Sequence, residues 1–147
     1  GLILQFGEEL QKKRLTVERK GWPTAGDSPY MLTADRQLVQ SVLFNVLNNK
    51  VRYAFPGSEI QIILERLAQP ERVLLRITNR GETIKESLVA QVNRGEVPVP
   101  GEAGQDLRHV HVNLALARDI IESHGGRFHL ENLSYQGAAV TIILPAA

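Results

Sequence analysis

HVHVNLALARDIIESHGG, residues 109–126, is the stretch on which the fold turns. From Leu114 onward, Leu114, Leu116, Ala117, Ile120 and Ile121 make the apolar set of an amphipathic helix, predicted over 113–123. His124-Gly125-Gly126 then stop it, because a glycine just past the last turn takes the left-handed conformation at little cost. Ahead of the helix, His109, His111 and Asn113 alternate with valines at the end of a loop, 94–108, that holds Pro98, Pro100, Gly101 and Gly104. A loop that runs into a helix N-terminus is a natural anion site where the backbone can approach the ligand. Here side chains stand where bare backbone would serve best.

Working outward, residues 2–14 read as a helix, with Leu2, Ile3, Phe6 and Leu10 near one face and Lys12, Lys13 and Arg14 late, where the helix dipole favours cations. Leu15-Thr16-Val17 is a short strand, followed by a loop marked by Gly21, Pro23, Gly26 and Pro29. Asp35 is placed to cap a long helix over 36–54 that Pro56-Gly57 ends. Strands over 59–67 and 73–78 flank the turn Gln69-Pro70-Glu71 as a hairpin. A weaker helix follows over 85–93. Beyond the helix 113–123, strands over 127–133 and 139–144 close the chain as a second hairpin around Ser134–Gly137. The fold class is α/β: a two-layer sandwich whose mixed, mostly antiparallel sheet carries its helices on one face.

The bulk composition narrows the function. A chain of 147 residues with 43% hydrophobic residues suits a single domain, and its start at Gly suggests a piece of a longer protein, with 1–14 as the end of a linker. The net charge of +1 comes without a dense Lys/Arg cluster, which argues against nucleic acid as a partner. There is no cysteine, so disulfide and thiolate chemistry are excluded and a reducing, cytoplasmic setting fits. No apolar run is long enough to span a membrane, so no membrane contact is expected of this domain.

On the helix 36–54, Leu38, Val39, Val42, Leu43, Val46 and Leu47 are spaced as one buried stripe. Asn45 and Asn49 lie one turn apart on a different face, which Arg52 and Tyr53 continue. Two such amides can offer oxygens to a hard cation such as magnesium or donors to phosphate, and an arginine one turn on adds charge for the same ligand. The ordinary alternative is a solvated helix face. Lys50 beside them either snorkels outward or reaches a phosphate.

In order along the chain, DRQLVQSVLFNVLNNKVRYAFPGSEIQI resembles the asparagine box of sensor histidine kinases, and ITNRGETI stands at their first glycine box. Residues 109–126 sit where their second glycine box enters its helix, and GAAVTIILP resembles their last strand. The chain is similar, from about Asp35 to Pro145, to the ATP-binding catalytic domain of two-component sensor kinases, in the ATPase superfamily of the Bergerat fold. The resemblance implies ATP and Mg as cofactors. It implies Asn49 as magnesium ligand with Asn45 beside it, Arg52 near the phosphates, and Tyr53 and Asn79 at the adenine. Asn79 stands for the usual aspartate, and its amide oxygen can still accept from the adenine amino group. Gly81 matches the first glycine of its box and Thr83 replaces the second. Lys50 replaces a small residue.

The departures gather where phosphate would lie, since His109, His111 and Asn113 take the places of three lid glycines. Side chains at positions that need glycine conformations weaken binding by about 1–2 kcal/mol each. Two apart in an extended segment, His109 and His111 would point the same way, toward phosphate or, with His124 or His129, toward a metal. Exposed imidazoles on a lid are the plainer reading. As a kinase, the domain would pass the γ-phosphate of Mg-ATP to a histidine on a separate dimerisation and phosphoacceptor domain, and its parent would be a homodimer serving a response regulator. The alternatives are a pseudokinase-type interaction domain with weak nucleotide binding, and an anti-sigma-factor-like serine kinase.

Overall fold

The computed structural model describes residues 7–20, 36–67, 71–96 and 105–145; the side chains of Glu9, Arg36, Val39, Arg52 and 105–113 lie outside that description. Four helices and five strands follow one another: α1 (Gly7–Lys13), β1 (Thr16–Lys20), α2 (Arg36–Tyr53), β2 (Glu59–Leu67), β3 (Arg72–Arg80), α3 (Glu86–Asn93), α4 (Gln105–Ser123), β4 (Arg127–Asn132) and β5 (Gly137–Pro145). The capping by Asp35, the hairpin turn at 69–70 and the first residues of the N-terminal helix fall outside the described residues.

One sheet runs in the order β1-β2-β3-β5-β4. β1 pairs with β2 in parallel, and the other three pairings are antiparallel. Residues directly opposite across a ladder share a face. Ile62, Ile77, Val140 and Leu130 therefore form one row and Leu64, Leu75, Ile142 and Phe128 the next on the same side, with Val17 and Ile60 in the row before them. That side packs against Val42, Val46, Leu47 and Val51 of α2, Val89 and Val92 of α3, and Leu114, Ala117 and Ile121 of α4. The other side carries a polar cluster, in which Arg76 donates to Glu131 Oε1 at 2.8 Å and to Thr141 Oγ1 at 3.0 Å. The two-layer α/β sandwich is thus realised with its helices on one face.

Helix ends are built from backbone. Gly125 has φ +77°, and Gly126 N–H donates to the Ile121 carbonyl at 3.0 Å while Gly125 N–H reaches Glu122. This is the double bond pattern of a glycine-terminated helix. His124 adds a contact from Nδ1 to the Ile120 carbonyl at 2.7 Å. The α3 end repeats the arrangement at Gly95, φ +76°. Arg118 of α4 donates Nε–H to the carbonyl of Asn93 at 3.0 Å, tying that end to α4.

Two side-chain amides, Asn93 on α3 and Asn132 on β4 itself, tie the outer strand to the segments beside it. Asn93 accepts from Leu130 N–H and donates to the Leu130 carbonyl, both at 2.8 Å. Asn132 does the same for Ile84, at 2.9 and 2.7 Å.

Two expectations change. α4 begins at Gln105 rather than near 113, so 105–108 belong to the helix and not to the loop. No glycine or proline lies between Gln105 and Leu114. A helix already nucleated propagates cheaply through such a run, and valine lowers propensity only slightly. The stripe on α2 is also narrower than expected: Leu38 is 41% exposed, whereas Val42 and Val46 are fully buried.

Candidate functional site

The last two turns of α2 and the end of β3 meet at an isolated bridge between Ala54 and Gly81. Phe55 N–H donates to the Arg80 carbonyl at 2.8 Å, reinforcing the junction. A Cβ at Gly81 would collide with the Tyr53 carbonyl and lie 2.7 Å from Asn79 Nδ2. Only glycine lets these two backbones come so close. The asparagine helix and the first glycine segment, 32 residues apart at Asn49 and Gly81, are therefore one structural unit.

Around that junction sit the polar residues singled out from sequence. Asn49 is 7% exposed and Asn79 is 5% exposed. Neither side chain hydrogen-bonds another described residue, which is unusual for amides so withdrawn from water. On spacing alone Asn49 reads as a solvated helix residue; the structure turns it inward. Asn45, one turn before it, is half-buried. Tyr53 is half-buried and packs on the core from the end of α2. Arg52 lies between them on α2, with its side chain outside the described residues. Thr83 is exposed in the segment joining β3 to α3.

His109, His111 and Asn113 lie within α4. The extended segment expected to carry His109 and His111 is thus replaced by helix. The backbone amides of this stretch are those of a helix interior rather than of a glycine-rich lid. His124 is engaged with Ile120, and His129 is exposed on β4. Among the described residues no group of three or more His, Cys, Asp or Glu is placed to hold a metal.

Lys50 follows neither course expected of it. It lies four residues after Val46 and four before Ala54, on the buried stripe of α2, and it is fully buried. Its ammonium donates to the Ala138 carbonyl at 3.0 Å. Ala138 is the cross-strand partner of Asn79. Burial pushes the amine down from 10.5 to about 7, and repulsion from Arg76 adds to this. The signal in the sequence was the spacing from Val46, which places position 50 against the sheet. A buried lysine is rare enough that spacing alone seldom argues for one.

The Asn49 amide oxygen, which meets no donor among the described residues, suits a hard cation, and the pair of amides at Asn49 and Asn79 suits a ligand with both a polar edge and a charged tail. Residues 34–147 match the family "Histidine kinase-, DNA gyrase B-, and HSP90-like ATPase". The chain belongs to this family of ATPases and, within it, is of the catalytic-domain type of sensor histidine kinases. It is 31% identical over 120 residues to the alginate biosynthesis sensor protein KinB of Pseudomonas aeruginosa, covering 82% of this chain and 19% of that protein. It is 26% identical to the adaptive-response sensory kinase SasA of Microcystis aeruginosa, covering 98% of this chain and 36% of that protein. The catalytic domain of histidine kinase ThkA superposes with a TM-score of 0.77 at 22% identity, over 98% of this chain and 87% of that one. The chain thus spans well under two thirds of these two sensor kinases. Among the described residues no helix is long and apolar enough to cross a membrane.

Proposed function

We propose that this domain binds Mg-ATP at the α2–β3 junction and passes the γ-phosphate to a histidine on a separate helical domain of a longer, dimeric sensor kinase, for relay to a response regulator. One observation carries the reading: Asn49 and Asn79, both more than nine-tenths buried, have no side-chain partner among the described residues and flank the close approach at Gly81. In this reading the Asn49 amide oxygen is the protein's magnesium ligand, with Asn45 one turn away. Held there, magnesium would supply positive charge against the phosphates. Arg52 adds a cation for the phosphates, Tyr53 an aromatic flank for the base, and Asn79 an acceptor for the adenine amino group. Full-length ShkA, whose structure was solved in complex with AMPPNP, shares the fold with a TM-score of 0.75 at 16% identity.

A second reading is favoured by the helical placement of His109, His111 and Asn113. A segment whose amides are spent in a helix ladder offers phosphate only side chains, as a pseudokinase-type interaction domain would. Thermal melting with and without millimolar Mg-ATP separates the two, because a ligand that binds only the folded state raises its stability by mass action. A shift that disappears in Asn49→Ala supports the kinase reading, and an unmoved melting temperature supports the second. Equal nucleotide affinity in His109→Ala/His111→Ala would remove the histidines from any phosphate role.

A further inference from the structure

The backbone of Ile84 is held by a side chain. Ile84 N–H donates to Asn132 Oδ1 at 2.9 Å, and Asn132 Nδ2 donates back to the Ile84 carbonyl at 2.7 Å. The same Nδ2 lies 2.9 Å from Glu86 Oε1, in the first turn of α3. Lys85, at the helix entry between them, makes no side-chain capping bond. The Asn132 amide thus serves Ile84 as a neighbouring strand would, and fixes where α3 begins. Asn132 pairs with Ala138 across one ladder, and Ala138 pairs with Asn79 across the next. Asn132 and Asn79 therefore share one row and one face of the sheet.

Three residues before Ile84 lies Gly81, anchored by its bridge to Ala54 and by its N–H, which donates to the Gln136 carbonyl at 3.3 Å. Only Glu82 and Thr83 separate the two anchors. So short a segment, fixed at both ends, has little backbone freedom left to lose when a ligand packs against it. We propose that Asn132 is a positioning residue of the nucleotide site: by holding Ile84 it keeps Gly81–Thr83 where a base seated on Asn79 requires them. Asn132 touches no part of the nucleotide in this assignment and acts through residues 81–84. The inference rests on the nucleotide reading above. Asn93 supplies an internal comparison, since its amide makes the same pair of bonds, both at 2.8 Å, to Leu130 on the same strand and not to Ile84.

The test titrates wild type, Asn132→Ala and Asn93→Ala with ATP in the presence of magnesium, and follows hydrogen exchange at the Ile84 amide. Each variant loses a two-bond clasp on β4, so both should lose stability. Asn132→Ala is expected to bind ATP about tenfold more weakly, because binding must then order residues 82–84, whereas Asn93→Ala binds as wild type does. The Ile84 amide should exchange faster in free Asn132→Ala and slow again once ATP is bound. A purely structural role would lower stability and leave the affinity of the folded protein unchanged. Equal affinity in wild type and Asn132→Ala, or equal losses in the two variants, overturns the assignment while the nucleotide reading stands. If Asn132→Ala does not fold, Asn132→Ser takes its place, because its shorter hydroxyl cannot span both groups of Ile84; wild-type affinity in that variant overturns the proposal. Absence of ATP binding by wild type defeats the nucleotide reading and this inference together.

Discussion

Lys13 on α1 donates from Nζ to the carbonyl of Val51 at 3.0 Å, at the C-terminal end of α2. The same ammonium is 3.4 Å from the Ala54 carbonyl. These carbonyls belong to a helix end that lacks donors further along its own chain. In return, Gly57 N–H donates to the Lys13 carbonyl at 2.7 Å. Lys13→Met keeps the stem and removes the charge. It should lower stability by about 1 kcal/mol, the usual worth of a part-buried hydrogen bond. Urea unfolding reads this as a lower midpoint at constant slope; an unchanged midpoint would mean that water replaces the ammonium freely.

Lys50 makes stability depend on pH in a definite window. Its folded-state value of about 7 lies below the ordinary 10.5. Between those values the unfolded chain holds a proton that the folded chain does not. Stability therefore rises with pH across the window, falls as pH drops through it, and levels off below about 7. The slope is at most about 1.4 kcal/mol per pH unit. Lys50→Met lacks it. At pH 7 the variant should equal or exceed wild type by roughly 1–4 kcal/mol, since replacing a buried charge by an apolar group is often stabilising. Urea titrations at pH 7 and pH 9 should show wild type recovering against the variant at the higher pH, and parallel behaviour would mean that the amine is not desolvated in solution.

Gly81→Ala should be among the most damaging small substitutions. Its methyl would collide with the Tyr53 carbonyl and sit 2.7 Å from Asn79 Nδ2, so backbone rather than a flexible side chain must yield. Overpacking of this kind destabilises by about 1–3 kcal/mol. A melting temperature equal to wild type would show that α2 and β3 can separate freely at the bridge.

The two glycines that end α4 should respond unequally. At Gly125 an added Cβ meets only Pro145 Cγ at 3.7 Å, so the alanine variant bears just the left-handed backbone strain, about 1–2 kcal/mol. At Gly126 the Cβ would strike the Ile143 carbonyl and approach Leu144 Cδ2 to 2.9 Å. Gly126→Ala should therefore lose more stability than Gly125→Ala. The reverse order in thermal melts would refute the packing argument.

Most of the fold was legible because its signals are local. Alternating Ile60 and Ile62, the three-and-four spacing of α2 and the His124-Gly125-Gly126 stop each act within a few residues of where they are written. The start of α4 was misread because the alternation of His109, Val110, His111 and Val112 imitates a strand, while the absence of a breaker after Gly104 decided in favour of helix. The site was legible in part. Asn49 and Asn79 could be named from their order along the chain. Their burial, and the inward path of Lys50, depend on β5 lying beside β3, a neighbour 59 residues from Asn79 at Ala138.

The paired amides at Asn93 and Asn132 have a consequence for how copies of this domain behave at high concentration. Sheets grow by edge addition, and an outer strand with free N–H and C=O groups is a template for a stranger's chain. On β4 the backbone groups of Leu130 are already taken by Asn93. The opposite border, β1, is only five residues long and carries Glu18, Arg19 and Lys20 in sequence. One margin has the groups of Leu130 occupied by an amide and the other is short and charged, two features that blunt edge addition. Asn93→Ala, by reopening the Leu130 groups, is where such growth would start.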